Sequence, residues 1–167
     1  MEEVNTMVSK VLGRMAGYFQ QDIKRVNHAL KVYGFAKIIS GNEPLSDDCR
    51  TVVELAAVLH DIGIKEAERK YSSSAGKYQE MEGPPIAEGI LTDMGIERPV
   101  IERVCYLIGN HHSYSKIDGT DFQILVEADF LVNIEEDAMD AAAVKSIKDK
   151  YFKTAAGRGL LEVLYGI

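Results

Sequence analysis

The chain has 167 residues, of which 46% are apolar and 27% charged, with 26 acidic against 19 basic side chains and a formal net charge of −7. This length and apolar content suit one domain with a sizeable core of its own. The acidic balance argues against a nucleic-acid polymer as partner, because a phosphate backbone wants a basic face. It leaves room for a small phosphorylated ligand, which needs only a local cluster of donors or a metal.

The elements read as helix after helix, with no segment of strict two-residue alternation. Val4, Met7, Val8, Val11, Leu12 and Met15 fall on one helical stripe. A second helix is predicted from about Gln20 to Ile39, with Ile23, Val26, Leu30, Tyr33, Phe35 and Ile38 as its apolar positions. "SGNEPLSDD" (Ser40 to Asp48) is turn chemistry, and Ser46 suits the N-cap of the next helix. That helix carries "CRTVVELAAVLHD" and should stop near Gly63. After a short helical piece, "YSSSAGK" (Tyr71 to Lys77) reads as a polar loop. Pro84 and Pro85 suit the first turn of a following helix that ends near Gly95. Arg98 to His112 is a helix with Pro99 near its start, Ser113 to Asp121 a loop, and Phe122 to Ile134 a strongly apolar helix. Asp140 to Ile167 reads as one or two helices broken around Gly157 and Gly159.

Cys49 and Cys105 stand far apart and in no CxxC pattern, which argues against a disulfide framework and for a reducing compartment. The opening Met1-Glu2-Glu3 lacks the pattern of a signal peptide, and no apolar run approaches the roughly 20 residues of a membrane span. The expectation is a soluble cytoplasmic protein with no membrane partner.

Function is sought where polar groups sit in apolar company. His60 and Asp61 close the run from Val52 to Leu59. Asp129 lies in "ILVEADFLV", a helix apolar on most of its circumference, so of Asp129 and Glu127 one is expected to face solvent. His28 lies in line with Lys24 and Lys31, and its local pattern alone does not bury it; His111 and His112 end the helix after "CYLIGN". Burying such groups unpaired is costly. One divalent cation would satisfy imidazoles and carboxylates together, and neutral imidazole suits Fe, Mn, Co, Ni or Zn.

The order His28, His60-Asp61, Asp129 resembles the H…HD…D signature of the HD-domain metal-dependent phosphohydrolases. "VNHALKVYGFAKII" is similar to that family's first-histidine helix, "LAAVLHDIGIK" to its central motif, "GPPIAEGIL" to the helix that follows, "LIGNHH" to its later histidines and "VEADFLVNI" to its last-Asp helix. The likeness spans roughly residues 26 to 137, with flanking helices over 1–18 and 140–167.

The resemblance implies an all-α, single-domain helical bundle of the HD-domain type. It implies one divalent metal, with Mg also possible, held by His28, His60, Asp61 and Asp129. It implies hydrolysis of a phosphomonoester or phosphodiester in a nucleotide or other small phosphorylated metabolite, with Asp61 and His111 in catalytic roles. Lys65, Lys77 and Ser73 (beside Ser72 and Ser74) are candidate phosphate contacts. Members with two metals carry a histidine where this sequence has Gln79. Glu80, Glu82, His111 and His112 are then the candidates for a second metal or for support of the first, and one metal per chain is the expectation. Two alternatives are a diiron oxygenase on the same scaffold and a non-catalytic ligand-binding module. Homo-oligomerisation stays open.

Overall fold

The computed structural model describes residues 2–167, with side chains from Thr6 onward. The side chain of Val4, assigned above to the first stripe, lies outside the described residues. Among the described residues the chain is all-α. Its helices are α1 (Glu2–Phe19), α2 (Ile23–Gly41), α3 (Asp47–Leu59), α4 (Ile64–Tyr71), α5 (Gly76–Asp93), α6 (Arg98–Ile108), α7 (Thr120–Glu136), α8 (Ala141–Tyr151) and α9 (Ala155–Tyr165), with a 3-10 turn at Tyr114–Lys116.

The centre of the bundle is α3. Every residue from Val52 to Leu59 is buried, and the helix packs on α1, α2, α6 and α7. Ser46 caps it as expected, accepting from the Cys49 N–H at 3.2 Å. The segments flanking the motif region pack on the bundle, α1 against α2, α3 and α5, and α9 against α2 and α7.

The structure corrects half of the apolar stripe assigned to α2: Val26, Tyr33 and Phe35 pack against the core, but the other three positions do not. Ile23 is 61% exposed and Leu30 and Ile38 also face solvent, while His28, Ala29, Val32, Ala36, Ile39 and Ser40 are buried. The buried face is the one with small side chains, which lets α2 lie against both α3 and α7. That register carries His28 inward.

Gly63 ends the α3 turn, but not by a left-handed conformation, since its φ is −74°. Its role is contact. A Cβ there would lie 2.5 Å from the Gln79 carbonyl oxygen and the Gly83 nitrogen, so α5 approaches this turn backbone to backbone.

Three further boundaries differ from the sequence reading. Pro84 and Pro85 lie inside α5, which begins eight residues earlier at Gly76; each removes one helical N–H donor, and packing on α4 and α6 holds the helix regardless. Consequently Lys77 stands in the first turn of α5 rather than in a loop. The tail breaks at Phe152 to Thr154, not at Gly157 and Gly159, which both lie within α9. Thr154 caps α9, accepting from the Gly157 N–H at 2.9 Å. Finally, α6 stops at Ile108, and His111 and His112 sit on the turn that follows.

Candidate metal centre

Three helices bring four of the expected residues to one point. His28 comes from the middle of α2, His60 and Asp61 from the end of α3, and Asp129 from the middle of α7. The Nε2 atoms of His28 and His60 lie 3.2 Å apart. Asp129 Oδ1 is 3.2 Å from His28 Nε2 and 3.6 Å from His60 Nε2. Asp61 Oδ2 is 3.6 Å from both. A cation about 2.1 Å from each donor would set neighbouring donors roughly 3.0–3.4 Å apart in octahedral or tetrahedral geometry, so the cluster fits one.

The outer ring nitrogens fix the tautomers. His60 Nδ1 donates to the Ala57 carbonyl at 2.9 Å, and His28 Nδ1 donates to Glu136 Oε2 at 3.0 Å. Both Nε2 lone pairs therefore aim at the same space, together with two carboxylates. Two acceptors at 3.2 Å repel unless a cation or a proton lies between them. In the absence of a metal, protons answer the field. Burial pulls His28 down, but Asp129, Asp61 and Glu136 outweigh it and push it up to about 9. His60 moves the same way, burial being overcome by Asp61 and Asp129. Burial opposes ionisation of Asp61 and Asp129, and the facing imidazoles hold both carboxyls below their ordinary range. Metal and protons would compete for these groups.

Glu136 was not among the expected residues. It orients His28, and Lys31 holds its other oxygen at 2.7 Å. The available signal was spacing: Glu136 lies seven residues after Asp129, two turns along the same face of α7.

Asp61 also belongs to a second group. Ligand atoms of Asp61, His111 and His112 all lie within 4.8 Å of one another. His111 Nδ1 donates to the Ile108 carbonyl at 2.7 Å, leaving Nε2 turned inward, 3.4 Å from Asp61 Oδ1. The Nε2 atoms of His111 and His112 and the Oε1 atom of Gln79 are buried without a hydrogen-bond partner. Burial, foremost, and the neighbouring His111 lower His112 to about 4, so it stays a neutral acceptor near neutral pH. The His112 ring lies against Gly76, where a Cβ would come within 2.6 Å of it.

The model of the HD domain matches residues 25–151. The chain belongs to the HD-domain family. A solved structure of a predicted HD superfamily hydrolase from an uncultured Thermotogales bacterium superposes with a TM-score of 0.68 at 24% identity, over 95% of this chain and 84% of that one. No match is found among curated proteins.

In this HD-domain chain the remaining expected residues are placed as follows. Glu80 stands outside both groups: it accepts from the His112 N–H at 3.1 Å and the Ser113 hydroxyl at 3.2 Å, pinning the turn after α6. Glu82 also stands outside, drawn to α4 by Lys70 at 2.7 Å and by the Tyr71 hydroxyl at 2.9 Å. Gln79 donates to the Ser74 carbonyl at 2.7 Å. Lys65 donates to the Tyr18 carbonyl at 2.9 Å and lies over the Tyr18 ring, which ties α4 to α1. Lys77 lies 4.5 Å from the centre of the Tyr78 ring, which stacks on Tyr71. Ser73 accepts from the Ala75 N–H at 3.2 Å within its own turn.

The expectation that Glu127 or Asp129 faces solvent fails. Glu127 is 0% exposed and Asp129 is buried on another side of the helix. Glu127 Oε1 accepts from the Lys153 and Thr154 N–H groups and from Gln123, and Oε2 accepts from the Thr154 hydroxyl. Gln123 stands one turn earlier on α7, but the C-terminal segment supplies the Lys153 and Thr154 donors, which lie too far along the chain to be anticipated from the α7 pattern.

Among the described residues, no helix is long and apolar enough to cross a membrane.

Proposed function

We propose that the chain is a metal-dependent phosphohydrolase that acts on a small phosphorylated metabolite, a phosphomonoester or phosphodiester of nucleotide size. The observation that carries this reading is the convergence of His28, His60, Asp61 and Asp129, with both outer ring nitrogens already committed. A divalent cation bound there would polarise a phosphoryl oxygen and lower the pKa of a water.

The residues supply the rest. His28, His60 and Asp129 would hold and orient the cation. Asp61 stands between that cluster and His111, so one oxygen can ligate while the other orients the attacking water. His111 Nε2 is a lone-pair acceptor next to that oxygen and can take the proton from the water. The water oxygen bonds to phosphorus, the ester P–O bond breaks, and the leaving oxygen takes up a proton. The buried apolar wall of α3 excludes bulk water from one side of the cluster.

Three buried atoms without partners, Nε2 of His111 and His112 and Oε1 of Gln79, favour a second reading, in which Asp61 bridges to another cation held by His111 and His112. Glu80 and Glu82, considered above as donors for it, are engaged elsewhere.

The test is metal analysis of protein purified without chelator, followed by phosphatase and phosphodiesterase panels with Mn, Co, Ni, Mg and Fe. One metal per chain with hydrolysis supports the first reading, and two support the second. Two irons with oxygen consumption and no hydrolysis would replace both by an oxygenase. Failure to bind any metal would leave a non-catalytic module.

A further inference from the structure

A cavity of about 480 Å³ opens between the 3-10 turn, α7 and the end of α8. Its size falls within the range of small-molecule sites. No residue of the His–Asp cluster lines it, so it is a separate place on the molecule. Part of its lining is aromatic: Tyr114 and Tyr151, with ring centres 4.7 Å apart. Phe130 stacks on Tyr151 at 4.9 Å and packs on Tyr114 at 5.3 Å, so both rings are held before anything binds. Lys150 and Lys153 also line the cavity, and no carboxylate does. Neither ammonium pairs with an acid among the described residues; Lys153 Nζ donates to the Asp149 carbonyl at 3.0 Å. In a chain of net charge −7 this is a local reversal of sign.

The lining is tied to the rest of the fold. Gln123, which belongs to it, donates to the Tyr151 carbonyl at 2.6 Å and to Glu127 Oε1 at 2.7 Å. The Lys153 N–H meets the same Glu127 oxygen at 2.6 Å. The cavity therefore sits at the joint where α7, the end of α8 and the link to α9 meet, and a ligand seated there would brace that joint.

Aromatic rings held in place favour a planar ring, and two ammonium groups without acids favour an anion. We propose that this cavity is a second binding site, for a small ligand that joins a planar ring to a phosphate or a carboxylate. The ring lies against Tyr114 and Tyr151, and the anionic group lies at Lys150 and Lys153. The site needs no metal and is independent of the phosphohydrolase reading.

The test is calorimetry on the full chain, before and after chelation. The probes are the common nucleoside 5′-monophosphates, benzoate and 4-hydroxybenzoate. Free nucleosides and inorganic phosphate serve as the ring-only and anion-only controls. After chelation, at least one ring-bearing anion is expected to bind at least about 5-fold more tightly than either control, the lower end of what one stacked base contributes. Tyr151→Leu and Lys150→Ala should each weaken that binding by about the same factor, and the ligand should raise the Tm of the chelated protein. The preferred probe tells phosphate from carboxylate. Lys150 is exposed, so its variant reads the site even where Tyr151→Leu fails to fold. Binding that vanishes on chelation puts the ligand at the metal cluster and overturns the proposal. Absence of binding by every probe overturns it too, as does binding that Lys150→Ala leaves unchanged.

Discussion

His28 Nδ1 donates to Glu136 Oε2 at 3.0 Å, and Lys31 holds the other oxygen of that carboxylate at 2.7 Å. This chain of contacts sets the His28 tautomer and aims Nε2 at the centre. A histidine ligand deprived of such an orienting partner usually loses metal affinity by about 10–100-fold. Glu136→Gln, whose amide oxygen can still accept, should weaken metal binding less than Glu136→Ala. Titration of metal-free protein with Mn or Co, read by calorimetry, checks the order. Equal affinity in wild type and both variants would make Glu136 a surface carboxylate.

Metal binding should appear as stability. A ligand that binds only the folded state at 100 times its Kd adds about 2.7 kcal/mol. Chelator should therefore lower the Tm of the purified protein, and replacement of Asp129 by Ala should remove the response to added metal. A Tm indifferent to chelator and to Mn, Co, Ni, Zn and Fe would count against a cation at this cluster.

Two glycines should separate fold from site. Ala at Gly63 puts a Cβ 2.5 Å from backbone atoms of Gln79 and Gly83, which cannot turn aside. Overpacking of this kind costs on the order of 1–3 kcal/mol, readable as a shifted urea midpoint. Ala at Gly76 meets side-chain atoms of His112, its Cβ at 3.0 Å and its ring at 2.6 Å, and the ring can turn aside. It should leave the midpoint nearly unchanged and reduce the metal content only if His112 is a ligand.

Glu127 makes a prediction about pH. Burial raises its pKa against the pull of its donors from Thr154, Lys153 and Gln123. A folded pKa above the unfolded one means that the folded state holds the proton longer. The stability this provides is present below the unfolded pKa and is lost as pH rises through the folded one. Glu127→Gln should flatten that slope on the alkaline side of the ordinary Glu pKa, as measured by urea unfolding at a series of pH values. Glu127→Ala should cost on the order of 1–3 kcal/mol or more, because it orphans buried N–H groups. An identical slope in wild type and the Gln variant would locate the pH dependence elsewhere.

The helical class and the inward places of His60 and Asp61 were legible because they close the apolar run of α3, whereas the apolar circumference of α7 pointed inward without telling that Glu127 and Asp129 are both buried. The environment of His28 was not legible. Three of the large apolar side chains of α2 that carry a periodicity argument, Ile23, Leu30 and Ile38, lie on its outer face, and its inner face sets His28 among two alanines, Val32, Ile39 and Ser40. Small residues give a weak hydrophobic signal but permit close helix packing. Glu136 was missed for another reason: its partners His28 and Lys31 come from another helix, and pairwise spacing along one helix does not report them.

The donors that satisfy Glu127 carry a consequence for where the unit of folding ends. The match to the family stops at residue 151, whereas the amides that meet the carboxylate belong to Lys153 and Thr154. A fragment trimmed to the matched segment would keep the acid in the middle of α7 and discard the groups that make its burial tolerable. The matched segment and the contacts that satisfy this carboxylate thus have different borders, and the link between α8 and α9 belongs with the core of the bundle.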